Sequence, residues 1–219
     1  MKTTLRYPTM RRTAMTFATL LAPALLSLPA FAQQDIIQTV IGGGPTDMPA
    51  VDADIVPSAV AVDSLGNYYL ASYNTNQVFK VNTSGILTVV AGNGLAGYSG
   101  DGVAGGAGSA LLNGPSGVAV DASGNIYIAD ANNAVIRKVD STHTITTVAG
   151  DYAKACGTVS NGSPATNFAL CDPAGVATDS SGNLYIADQG DNLIRKVVVS
   201  TSTIANYAGN GTAGYKGDG

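Results

Sequence analysis

The sequence contains no glutamate and no tryptophan, and only 12% of its residues are charged. All 15 acidic residues are aspartate. Glutamate favours helix interiors, whereas aspartate and glycine favour caps and turns. With 27 glycines in 219 residues, this imbalance speaks against a helical protein and for short strands joined by turns. Histidine is nearly missing too: His143 stands alone. A catalytic zinc takes about three protein ligands, so a histidine-held metal centre has no ligand set within these residues. The two cysteines are too few for a four-thiolate zinc site. The formal net charge of −4 offers no basic footprint for nucleic acid. No uninterrupted apolar run approaches the ~20 residues of a membrane span, because Pro23 and Pro29 break the only candidate.

That candidate has another reading. "MKTTLRYPTMRR" places Lys2, Arg6, Arg11 and Arg12 ahead of the apolar "TAMTFATLLAPALLSLPA", and "AFA" follows. A basic start, an apolar middle and small residues before a cut site predict a secretory signal peptide over 1–32, removed after Ala32; an uncleaved anchor is the alternative. The segment holds four basic residues and no acid, so its removal takes the formal charge from −4 to −8. The protein is then expected in the periplasm or outside the cell, with no membrane span after cleavage. An oxidising compartment lets Cys156 and Cys171 pair. Such a bridge closes a loop of about 16 residues, for which chain entropy gives roughly 3 kcal/mol. Two free thiols are the alternative.

What the chain has in abundance is self-similarity. Pro57, Pro115 and Pro173 are 58 residues apart and open three matching stretches. Asp63, Asp121 and Asp179 align, as do Asn67, Asn125 and Asn183, then Tyr69, Tyr127 and Tyr185, then Lys80, Lys138 and Lys196. Within one unit "GVAVD" is a short apolar run and "DASGN" a tight turn. "NIYIAD" then places Ile126 and Ile128 on one face and Tyr127 and Ala129 on the other. "AVIRKVD" and "TITTVAG" complete four strands. A four-stranded antiparallel meander at fixed period is a propeller blade, stable only against its neighbours. The expected fold is an all-β propeller with blades at 57–92, 115–150 and 173–209, and connectors at 93–114 and 151–172. "IIQTVIGG" (36–43) reads as an extra outer strand, and 210–219 as a connector cut off at its start, since "GNGTAGYKGDG" repeats the "GNGLAGYSGDG" of Gly92–Gly102.

"GPSGVAVDASGNIYIADANNAVIRKV" with "AGNGLAGYSGDG" resembles the NHL repeat, in the long-connector form of secreted bacterial proteins and of teneurins, and "SPATNFALCDP" resembles the family's connector ending. The first copy departs from the other two: Phe79 stands where Arg137 and Arg195 stand, and Ser72 where Asp130 and Asp188 stand. The resemblance implies about six blades. Three blades then make an incomplete ring, either the front part of a longer product or half of a ring closed by self-association of two copies. Some relatives are enzymes with zinc held by histidines, or lactonase-like with a glutamate ligand, and this chain lacks both sets. A secreted module binding protein or glycan, without catalytic residues, is the expectation. The competing expectation is a fragment of a lyase or lactonase-like enzyme with its metal site in further blades.

Candidate site residues are few. Asp130, Arg137, Asp188 and Arg195 recur in two units, either as a ring of charges meeting a ligand or as a pair that fixes each blade. Repetition favours the second, because every repeat meets the same packing problem. Asp63, Asp121 and Asp179 read as turn residues. Asp101 and Asp218 in "SGDG" are the weak calcium candidates; calcium needs 6–8 oxygens, and one aspartate per loop supplies few. No cofactor is expected.

Overall fold

The computed structural model describes residues 47–154, 156, 161–167 and 170–214. The expected leader (1–32), the expected extra strand (36–43) and Asp218 lie outside the described residues.

Short alternating runs bounded by Asp-x-x-Gly-Asn turns form three antiparallel sheets. The first contains β1 (Met48–Pro49), β2 (Ala59–Val62), β3 (Tyr68–Ser72), β4 (Gln77–Val81) and β5 (Ile86–Ala91), in the order β1-β5-β4-β3-β2. The second contains β6 (Pro115–Val120), β7 (Ile126–Asp130), β8 (Val135–Val139) and β9 (Ile145–Ala149), a plain meander. The third contains β10 (Ser163–Pro164), β11 (Pro173–Thr178), β12 (Leu184–Asp188), β13 (Leu193–Val198) and β14 (Thr203–Ala208), in the order β10-β14-β13-β12-β11. These are the three four-stranded blades expected from the 58-residue period. The two-residue edge strands β1 and β10 are additions that the period did not announce. One-turn 3-10 helices, Ala131–Asn133 and Gln189–Asp191, occupy what reads in the sequence as a polar loop.

The turn at the head of each blade is built by one carboxylate. Asp121 Oδ1 accepts the Ser123 and Asn125 amides, each at 2.9 Å, while Oδ2 accepts Asn125 Nδ2 at 2.7 Å and the Tyr127 hydroxyl at 3.1 Å. Asp63 accepts the equivalent four bonds from Leu65, Asn67 and Tyr69, and Asp179 from Ser181, Asn183 and Tyr185. The Asn67 side chain, above all, holds the Asp63 carboxyl below the usual range, and Asn183 does so for Asp179. Burial, helped by the Asp63 charge, pushes the Tyr69 hydroxyl up to about 12. These aspartates are turn residues, as expected, and they shape the second strand's entry.

The second blade packs through both of its faces. Ile126 and Ile128 join Tyr69, Ala71 and Val78 in one buried cluster, while Tyr127 and Ala129 join Leu184 and Ile186 in the next. The alternation of "NIYIAD" thus feeds two seams, one on each side of the second blade. Each fully buried Leu or Ile contributes about 1.5–3 kcal/mol, so most cohesion between blades is apolar. The innermost strands approach closely. A methyl group at Gly117 would meet Gly175 Cα at 2.8 Å, so only glycine fits where β6 faces β11. Ser58 Oγ donates to Pro115 O at 2.9 Å, and Ser116 Oγ donates to Pro173 O at 2.8 Å, fastening each blade to the next.

The connectors complete the seams. Ala107, Ala110 and Leu112 of the first, and Ala165 and Leu170 of the second, are fully or almost fully buried within these clusters. Each connector also seals the outer edge of the blade that follows it. Gly102 N donates to Ile145 O at 2.9 Å, and Gly162 N donates to Ile204 O at 2.8 Å. The segment 47–50 does the same for the first blade, with Asp47 N on Leu87 O at 2.8 Å. An unpaired strand edge invites mispairing with other chains; here the outer edge of each described blade is covered by the segment that precedes the blade.

Candidate functional site

The recurring charges lead into the frame of the protein. Opposite each step between the equivalents of Ile136 and Arg137, the outer strand carries one extra residue: Val90, Val148 and Tyr207. Such a bulge re-aims the neighbouring side chain. In the second blade it accompanies an Arg137 that is fully buried. Connector residues 97–102 and Leu111 wrap this guanidinium. Nη2 donates to Ser99 O at 2.9 Å and to Asp101 Oδ1 at 2.5 Å; Nη1 reaches Leu111 O at 3.4 Å and Asp130 Oδ2 at 3.5 Å. Asp130, also fully buried, receives Asn113 N at 2.7 Å and Asn133 Nδ2 at 2.8 Å. Burial pushes its carboxyl up to about 6, against the pull of these donors and of Arg137.

The third blade meets the same demand locally. Arg195 Nε donates to Asp188 Oδ2 at 2.8 Å, and its two terminal nitrogens donate to Asp191 and Asn206. Asp188 Oδ1 receives the Cys171 amide at 2.6 Å, and burial raises its carboxyl. Cys171 is bonded to Cys156, as expected, with Cα atoms 5.1 Å apart. Asp191 lies beside this pair, but bridged sulfurs offer no thiolate to a metal. In the first blade Phe79 and Ser72 are fully buried at the corresponding positions. The four candidates Asp130, Arg137, Asp188 and Arg195 are therefore brought together as two buried pairs, one in the second blade and one in the third, and none faces solvent. Asp101 is occupied on both oxygens: Oδ1 by Arg137, and Oδ2 by the Tyr98 hydroxyl at 3.1 Å and Thr147 N at 3.1 Å. His143 is exposed in a turn with a left-handed backbone, φ 58°.

A cleft beside this clasp was not singled out by the repeat. Tyr98 hydrogen-bonds Thr147 Oγ1 at 2.8 Å, and Arg137 Cζ lies 4.7 Å from its ring centre. Tyr152 stacks on Tyr98 with centroids 4.5 Å apart and ring planes 5° from parallel. Two groups this close cannot share one ring face, so Tyr98 is sandwiched between the guanidinium and Tyr152. Burial chiefly raises the Tyr98 hydroxyl. Tyr152 remains 54% exposed. Together with Asp101, Asp151, Thr147 and Thr166, the pair lines an open cleft of about 430 Å³. Asp151 is held by the Ala153 amide at 3.0 Å and lies 3.3 Å from Lys154 Nζ. The pair is not repeated as a pair: Tyr152 stands where the other connectors have Gly94 and Gly211, and Tyr98 recurs as Tyr215 but aligns with Cys156 in the second connector. The signal that could have found it is this loss of glycine at "GDYAKA".

Residues 87–157 match the family model of the teneurin NHL domain, and residues 170–197 match that of the NHL repeat. A comparison with curated proteins finds no match. Among solved structures, similarity extends to a protein of unknown function from Bacteroides thetaiotaomicron (24% identity over 65% of this chain and 32% of that one, TM-score 0.46). It also extends to virginiamycin B lyase from Staphylococcus aureus (12% identity, 74% and 44% covered, TM-score 0.47). A chain of a nidogen/laminin complex is similar as well (18% identity, 68% and 46% covered, TM-score 0.47). The chain spans less than half the length of each. The residues that match the NHL models thus fold as successive four-stranded antiparallel blades of the β-propeller class.

Proposed function

We propose that this chain is an exported binding module whose blades present a rigid surface to a protein or glycan, with no catalysis of its own. The observation that carries the reading is how the charged side chains are spent. The repeated aspartates and arginines close turns and pin connectors, whereas Asp101, Asp151, Thr147 and Thr166 line a cleft with Tyr98 and Tyr152. Binding sites commonly combine an apolar or aromatic wall with a few convergent polar groups, which describes Tyr98, Tyr152 and their neighbours. Export suits the Cys156–Cys171 disulfide. Among the described residues no helix is long and apolar enough to cross a membrane.

The test is a binding screen of the purified chain on immobilised glycans and extracellular-matrix proteins, beside lyase and lactonase assays with and without divalent metal. The reading expects saturable binding, weakened by Tyr152→Ala, and no turnover. Metal-dependent turnover by this chain would replace it with the enzyme reading.

A further inference from the structure

Resting on that reading, we infer that the Tyr98–Tyr152 cleft takes a neutral sugar ring. Three features point to this ligand class. The first is the aromatic platform. Tyr152 is held flat by stacking on Tyr98, and Tyr98 is itself fixed by Arg137 and by its bond to Thr147. A half-exposed ring that is already immobilised gives apolar contact area at little entropic cost. The C–H face of a pyranose matches such a ring in size and polarity.

The second is charge. An aromatic wall with carboxylates on its rim is also the recipe for a cation cage. Here each carboxylate of the cleft already faces a cation of the protein: Asp101 has Arg137 at 2.5 Å, shared with buried Asp130, and Asp151 has Lys154 at 3.3 Å. An incoming ammonium would compete with those cations, and an anion would meet two carboxylates. A neutral polyol meets neither obstacle. Its hydroxyls can donate to remaining carboxylate lone pairs, and such bonds to ionised acceptors are stronger than neutral ones.

The third is position. The hydroxyls of Thr147 and Thr166 lie in the same cleft as the Tyr152 ring, so polar and stacking contacts converge on one volume. Glycine also replaces Tyr152 in the other connectors, so the repeat does not require this ring.

The experiment titrates neutral hexasaccharides of glucose, mannose and N-acetylglucosamine into the full chain, followed by tyrosine fluorescence and NMR. Tetramethylammonium runs as the cation control. At least one saccharide is expected to bind and to perturb Tyr152. Tyr152→Ala is expected to weaken it by about tenfold or more, roughly 1.4 kcal/mol, with an unchanged unfolding midpoint because the side chain is half exposed and outside the repeat. Tyr152→Phe, which keeps the platform, retains affinity. The proposal is overturned if no saccharide binds, if Tyr152→Ala leaves affinity unchanged, or if tetramethylammonium binds in the cleft instead. A protein ligand lost with Tyr152→Ala, while no saccharide binds, would overturn the sugar and leave the binding-module reading standing. Absence of both kinds of binding would remove both.

Discussion

The second and third blades bury the same arginine in two different ways. Around Arg137 the partners are long-range: Ser99, Asp101 and Leu111 come from the preceding connector, 26 to 38 residues away in sequence. Around Arg195 they are near: Asp188, Asp191 and Asn206 lie within 11 residues, and the preceding connector is held by a disulfide instead. The first blade dispenses with the charge and buries Phe79. A repeat thus conserves a demand, a filled position where bulge, seam and connector meet, and leaves the chemistry that fills it open. An ion pair pins the connector to the following blade in one seam, and in the next a covalent bond closes the connector on itself.

The strongest way to break this comparison is Arg137→Met. It strands Asp130 and Asp101, and removing one member of a buried pair costs about 3–5 kcal/mol. Copying the first blade with Arg137→Phe, Asp130→Ser and Asp101→Ala should recover much of that loss, because no buried charge is left alone. Urea unfolding of the two variants checks this.

Next in size is the covalent seam. Cys156→Ser with Cys171→Ser should cost roughly 3 kcal/mol. The same loss should follow reduction of the wild type, while the Arg137 clasp is untouched by reductant.

A third prediction concerns pH. The folded-state value of Asp130, about 6, lies above its ordinary value of 3.8. Its contribution to stability is therefore fully present below about pH 4 and is lost as pH rises through about 6, a change on the order of 2–3 kcal/mol. Asp130→Asn does not titrate, so its stability deficit relative to wild type should be larger at pH 4 than at pH 7. Denaturant titrations at the two pH values decide it. The smallest effect expected is that of Ser116→Ala, about 1 kcal/mol for one hydrogen bond to Pro173 O. The third blade carries Ala174 at this position.

Much of the fold is legible in the sequence because its cause is periodic. Pro57, Pro115 and Pro173 mark the blades, and the Asp-x-x-Gly-Asn turns follow from local hydrogen bonds that a short window contains. Even the two-sided burial of Ile126 and Tyr127 follows from their alternation. What the sequence hides is long-range or non-repeated. Asp101 meets Arg137 across 36 residues because the connector folds onto the next blade, not its own; spacing within one unit cannot reveal that. The edge strands Met48–Pro49 and Ser163–Pro164 are too short for any pattern. Tyr152 drops out of a period search because the other connectors carry glycine there, although Tyr98 recurs as Tyr215. The residues that look most functional by repetition are the frame, and the exposed ring of the candidate site lies where repetition fails.

The central claim is that Asp101 pins its connector to the following blade whereas Asp191 acts only within its own turn. Amide hydrogen exchange on Asp101→Ala and Asp191→Ala tests it most directly. Asp101→Ala should release the Gly102, Ala107 and Thr147 amides together, and Asp191→Ala should release only amides near Gln189–Asn192. If Gly102 and Ala107 keep their protection without the Asp101 carboxylate, the connector is held by something else and the account is wrong.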